Sequence, residues 1–142
     1  LNVTVEIRKH HVSEAASKVS QFPIVRDLLK KYQRHLVAHN ICVMEGRDIG
    51  TVVFPEAKLK VFLTASNKQR AKRRYLDLEK RGTLGELTLD NILDDIIKRD
   101  ERDSSRDVAP LVPAIDSTRI DSDKLSVDEV VSMITKLAKE VF

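Results

Sequence analysis

A chain of 142 residues with 42% hydrophobic side chains fits one domain with a core of its own, and 33% charged residues with only 4% aromatics read as soluble and helix-rich. The net charge of +3 is the remainder of 25 basic and 22 acidic side chains, so any anionic partner must be met by a local cluster and not by a global field. A single cysteine excludes an internal disulfide, no apolar run approaches the ~18 residues of a membrane span, and no signal peptide is visible. In chain order, residues 1–7 (LNVTVEI) open mid-pattern without an initiator Met, and residues 3–7 read as a short strand or the tail of one. Residues 13–19 predict a short helix ending near Pro23, followed by a longer one over 24–39. On the second, Val25, Leu28, Leu29, Tyr32 and Leu36 recur at helical spacing on one face.

The apolar run ICVM at 41–44 suits a strand buried on both faces, which would make Cys42 a small buried hydrophobe. It breaks into Glu45-Gly46-Arg47-Asp48-Ile49-Gly50-Thr51, a turn holding opposite charges where an α/β sheet binds ligands; a surface turn with a solvated Arg and Asp fits the same residues. Residues 59–65 are a second strand candidate, and Ser66 with Gln69 makes a capping box for a helix to about Lys80. A break at 81–85 precedes Thr88, an N-cap for a helix whose apolar stripe is Leu89, Ile92, Leu93, Ile96 and Ile97, reaching about Arg106. Residues 109–113 read as an extended connection and 119–121 as a third strand. Ser126 and Glu129 box the start of a terminal helix with Val127, Val130, Val131, Ile134, Ala138 and Val141 on one side. Strands separated by helices predict an α/β fold with a parallel sheet flanked by helices, although three strands are few for a doubly wound one.

Two clusters carry chemistry. On a helix, Arg99, Arg102, Asp103 and Arg106 fall within an arc of roughly 100° that borders the apolar stripe, so three guanidiniums and a carboxylate line the rim of the core. Guanidinium forks suit phosphate oxygens and a carboxylate suits sugar hydroxyls; a solvated face held by i,i+4 pairs such as Arg99 with Asp103 is the commoner meaning of such spacing. The run 68–75 (KQRAKRRY) is a phosphate-contacting patch, a nucleic-acid surface or an ordinary basic helix face, and lacks interleaved aromatics beyond Tyr75 for base stacking. His10, His11, His35 and His39 have no zinc spacing, although His35 and His39 stand i,i+4. No G-x-S-x-G elbow and no G-x-x-x-x-G-K-[ST] phosphate loop occurs.

The stretches 13–19 (SEAASKV), 46–55 (GRDIGTVVFP), 99–103 (RDERD) and 108–111 (VAPL) together resemble the bacterial cytidylate kinases, in that family's order and spacing and over essentially the whole chain. The resemblance implies a P-loop nucleoside monophosphate kinase fold, of which this sequence is the C-terminal portion. Residues 1–10 would be the end of the NMP-binding insert and about 70–107 the lid region. It also implies phosphoryl transfer from ATP, carrying Mg²⁺, to CMP or dCMP in a monomeric cytoplasmic enzyme with neither nucleic acid nor membrane as partner. By the same resemblance Ser17, Arg26 and Asp48 read the cytosine, Arg47 and Arg106 hold phosphate and serve catalysis, and Arg99 and Asp103 hold the ribose. Arg70, Arg73 and Arg74 would approach ATP at the lid, and no residue is assigned to a metal. The segment that carries the phosphate loop in this family is absent from the 142 residues, so a supplied N-terminal segment is an expected partner. Two other readings stay open at this point: a CMP-binding piece without catalysis, and a basic nucleic-acid-binding protein.

Overall fold

The computed structural model describes residues 3–4, 6–37 and 41–142. Helix α1 spans His10–Val19, α2 Pro23–Val37, α3 Asn67–Lys80, α4 Leu89–Ser105 and α5 Val127–Val141; strands β1 (Val61–Thr64) and β2 (Thr118–Asp121) form the sheet. The two strands pair in parallel, Val61 opposite Thr118 and Thr64 opposite Asp121, so that α3 and α4 together make the crossover between them. This is the α/β arrangement expected, a small parallel sheet flanked by helices.

Local chemistry sets the helix limits. Pro23 opens α2, where a missing N–H costs nothing. Thr88 and Asn91 exchange bonds at 3.2 and 3.1 Å, and Ser126 and Glu129 do likewise, giving α4 and α5 full capping boxes. At α3 the predicted box forms by half. Ser66 Oγ accepts from Gln69 N, but Ser66 N donates to Asp123 Oδ1 at 2.6 Å, which leaves the Gln69 side chain no role there. The other end of α3 closes by a Schellman motif, Thr83 N to Leu78 O and Gly82 N to Glu79 O, with Gly82 at φ 65°.

The core lies between α3 and α4. Ala71, Leu78 and Ile92 are buried there, with Tyr75, Leu84, Leu87, Leu93 and Ile96 packed around them. Arg73 ties this pair to the sheet by donating to Ser122 Oγ at 3.0 Å and to the Ser122 carbonyl, while Ser122 Oγ donates to Thr64 O at 2.9 Å.

Several expectations are corrected. Glu6–Arg8 is one turn of 3₁₀ helix, with Ile7 N bonding back to Val3 O, not part of a strand; Leu1, Asn2 and Val5 lie outside the described residues. Residues 41–44 are not a buried strand. Ile41 and Val43 are fully exposed and Cys42 is exposed, because β1 and β2 pair with each other and the run finds no partner strand among the described residues. An apolar run is a strand only where a neighbour takes its backbone groups. The apolar face of α2 has its helical spacing but no buried residue, since Leu28, Leu29, Tyr32 and Leu36 face outward uncovered; His39 is outside the described residues. The connection after α4 is bent, not extended, because Ala109 takes a left-handed φ of 54°.

Candidate functional site

Gly46 begins the turn on which the site rests. A Cβ there would stand 2.7 Å from the Ile49 side chain, so only glycine lets the chain fold back this closely. The turn continues into a single π-helical segment, Ile49–Val53. Arg34 of α2 clamps its end, Nε donating to Val53 O at 2.7 Å and Nη2 to Val52 O at 3.0 Å. Arg47 and Asp48 are thereby held at a fixed place beside α2 and the C-terminal half of α4.

Those elements and α1 enclose a cavity of about 330 Å³, within the size range of small-molecule sites. All seven residues assigned to the acceptor nucleotide line it: Ser17 of α1, Arg26 of α2, Arg47 and Asp48 of the turn, Arg99 and Asp103 of α4, and Arg106 just beyond α4. Arg26 pairs with Asp48, both largely buried, and also donates to Ser20 O at 3.2 Å. Asp103, buried, stands among three guanidiniums: Arg47 Nη1 at 3.2 Å, Arg106 Nη1 at 3.5 Å and Arg99 Nε at 3.7 Å. Arg99 Nη1 reaches Ser13 Oγ at 3.1 Å, and Arg106 Nε donates to the Ala109 carbonyl, holding the left-handed bend of that residue against the site.

The cluster is short of negative charge. Four arginines face two carboxylates, Asp48 and Asp103, while Lys30 and Asp27 pair with each other at the rim. Arg99 Nε and Arg106 Nη2 are buried with no hydrogen-bond acceptor among the described residues, and Asp103 Oδ2 with no donor aimed at it. Buried polar atoms of this kind are costly unless a ligand meets them. The ionisation equilibria agree: burial, then the charge of Arg47, pulls Arg99 below the ordinary guanidinium value, with Asp103 offsetting part. Burial, then Arg26, does the same to Arg106. Both remain cations at neutral pH, strained ones that an anion would relieve. The arrangement thus offers two guanidinium nitrogens without a hydrogen bond and surplus positive charge for a phosphate, and a carboxylate oxygen that is ion-paired but accepts no hydrogen bond for a hydroxyl.

The three arginines expected at the lid lie on α3, outside the cavity lining. Arg70 pairs with Asp100 and donates to Asn67 Oδ1 at 2.6 Å; Arg73 is held by Ser122; Arg74 is near enough for its charge to depress Arg99. Asp100 escaped the sequence reading. It takes Arg70 on one side and Arg47 Nη1, at 3.0 Å, on the other, joining α3 to the cavity wall. Burial raises the Asp100 carboxyl and the two arginines outweigh it, leaving its pKa below the ordinary 3.8. No group of three or more His, Cys, Asp or Glu side chains converges to hold a metal among the described residues.

A small parallel sheet flanked by helices carries an arginine-rich cavity walled by a Gly-Arg-Asp turn, and the family whose model matches the chain has the fold of the P-loop nucleoside monophosphate kinases. The cytidylate kinase family model matches residues 1–140. The chain is 45% identical over 141 residues to the cytidylate kinase of Chloroherpeton thalassium, covering 98% of this chain and 60% of the relative. It is 48% identical over 133 residues to that of Pseudomonas syringae pv. tomato (94% and 57%) and 47% over 135 residues to that of Thermosipho melanesiensis (95% and 61%). The chain belongs to the cytidylate kinase family, and it spans about 60% of the length of the curated relatives it matches.

Proposed function

We propose that the cavity is the acceptor site of a cytidylate kinase, taking CMP or dCMP, and that the chain works in phosphoryl transfer from ATP to that nucleotide. The observation that carries this reading is the convergence of Ser17, Arg26, Arg47, Asp48, Arg99, Asp103 and Arg106 on one cavity that is short of anions. Arg47 and Arg106 hold the CMP phosphate and neutralise it as one of its oxygens attacks the γ-phosphorus, while the bond from that phosphorus to ADP breaks. Arg99 and Asp103 take the ribose hydroxyls. Asp48, steadied by Arg26, accepts from the exocyclic amine of cytosine; uracil turns a carbonyl toward the same carboxylate and is disfavoured.

Magnesium bound to ATP would neutralise phosphate charge there, and no residue of the chain is assigned to hold it. For Arg70 or Arg73 to reach the triphosphate, its bonds to Asp100 or Ser122 must be exchanged for phosphate oxygens. Residues 1–10 and 70–107 then serve as the end of the acceptor insert and as the lid, in a monomeric cytoplasmic enzyme completed by the segment bearing the phosphate loop. A nucleic-acid surface on α3 has less support, because Arg70 and Arg73 are spent on internal partners and Lys68 and Lys72 stand alone outward.

Calorimetric titration with CMP, and with UMP as control, tests the reading. CMP should bind at least tenfold more tightly, about 1.4 kcal/mol, and Asp48→Ala should abolish that preference while leaving the chain folded. Equal affinity for both nucleotides in the unaltered chain would overturn the assignment.

A further inference from the structure

We propose that Arg102 is a positioning residue that orients the Ser17 hydroxyl and thereby sets which pyrimidine the cavity prefers; this rests on the reading of the cavity as the CMP site. Arg102 does not line the cavity. Its Nη1 donates to Ser17 Oγ at 2.9 Å across the gap between α4 and α1. Ser17 is buried, at 4% exposure, and it does line the cavity.

A guanidinium has donors and no acceptor, so the serine oxygen must be the acceptor in this bond. One lone pair of Ser17 Oγ is then committed, and its proton must point elsewhere. A serine inside a helix commonly returns that proton to the carbonyl four residues back. Here no described side chain or carbonyl is bonded to it, and the other side-chain bond at Ser17 goes to its carbonyl, from Ser20 Oγ at 2.8 Å. The Ser17 hydroxyl is therefore held as a donor toward the cavity.

A fixed donor at Ser17 and a fixed acceptor at Asp48 present the base with two unlike groups. Cytosine matches them, with acceptors at N3 and O2 and a donor at the exocyclic amine. Uracil carries N–H at position 3 and a carbonyl at position 4, so it matches neither group where the hydroxyl meets N3. Without Arg102 the hydroxyl can rotate, accept the uracil N–H and lose half of the discrimination. Arg102 differs in this from Arg99, which donates to Ser13 Oγ one helical turn away but also lines the cavity itself.

The test compares Kd values for CMP, UMP and ribose 5-phosphate in the unaltered chain, Arg102→Met, Arg102→Lys and Ser17→Ala, with circular dichroism to establish folding. Arg102→Met should lower the CMP-to-UMP preference about threefold, half of a tenfold preference in free energy, and change ribose 5-phosphate affinity less than twofold. Arg102→Lys, which keeps a donor, should retain most of the preference. In the Ser17→Ala background Arg102→Met should have no further effect on it. Should the methionine variant not fold, the lysine variant decides: retained preference supports the proposal and lost preference overturns it. An unchanged preference in folded Arg102→Met, or an equal loss of all three ligands, overturns the role of Arg102 and leaves the CMP site standing. Absence of CMP preference in the unaltered chain overturns both.

Discussion

Helices α3 and α4 meet over buried apolar area, with Ala71, Leu78 and Ile92 closed between them, whereas α1 and α2 reach the rest of the chain through polar links. Among the described residues the latter pair carries one buried residue, Ser17, and its polar attachments include Arg99 to Ser13, Arg102 to Ser17, Arg26 to Asp48 and Arg34 to the carbonyls of Val52 and Val53. Apolar contact is not screened by salt and gains no counter-charge from an anion, whereas ion pairs respond to both. The cavity lies on the side held by charge. A site assembled in this way is completed by the charges of what it binds, and α4 carries Arg99 and Asp103 into it from the apolar side.

The contrast can be broken most severely at Ile92, fully buried between α3 and α4. Ile92→Ala should cost about 4 kcal/mol in urea unfolding, with nearly the same cost at low and high salt. Asp103→Asn comes next. It leaves Arg47, Arg99 and Arg106 without their common counter-charge and should cost about 2–3 kcal/mol, a cost that shrinks on adding phosphate, which takes the place of the lost carboxylate. If both variants respond alike to phosphate, the distinction between area-held and charge-held halves is lost.

Asp100 sharpens the comparison by pH. Its folded pKa is depressed, so its contribution is complete above the ordinary 3.8 and is lost as pH falls through the lower folded value. Asp100→Asn should cost about 1–2 kcal/mol at neutral pH, and the difference from the unaltered chain should vanish in acid unfolding below that value. The smallest effect is expected at Thr88. Removing its capping hydroxyl with Thr88→Ala should cost about 1 kcal/mol, independent of salt and of nucleotide, as read by thermal unfolding.

What could be read from the sequence was what is local. Thr88 with Asn91 and Ser126 with Glu129 lie within one helical turn, so the start of α4 and α5 is written in a few neighbouring residues. Burial is not local. Residues 41–44 and the face of α2 have the composition of covered structure, and only a second element decides whether anything covers them. The seven cavity residues came from a resemblance between motifs; the spacing of 99–106 placed Arg99, Arg102, Asp103 and Arg106 on one arc without saying what they meet. Arg102 was on that arc, but its partner Ser17 stands 85 residues earlier, a distance no periodicity reports. The only signal for Asp100 was its position beside Arg99 in an acidic-basic run, which exposed helix faces share.

The parallel pairing of β1 with β2 has a consequence for the order of events in folding. Val61 meets Thr118, so the ladder closes a loop of roughly 57 residues, and about two thirds of that loop is α3, α4 and their connection. Loop closure is an entropic debt that long-range strands incur before any bond rewards them. The α3/α4 hairpin is local in sequence, shortens the span when it forms, and should therefore precede the sheet on the way to the native state. On this account Ile92→Ala slows refolding, whereas a change at the β1–β2 ladder mainly hastens unfolding.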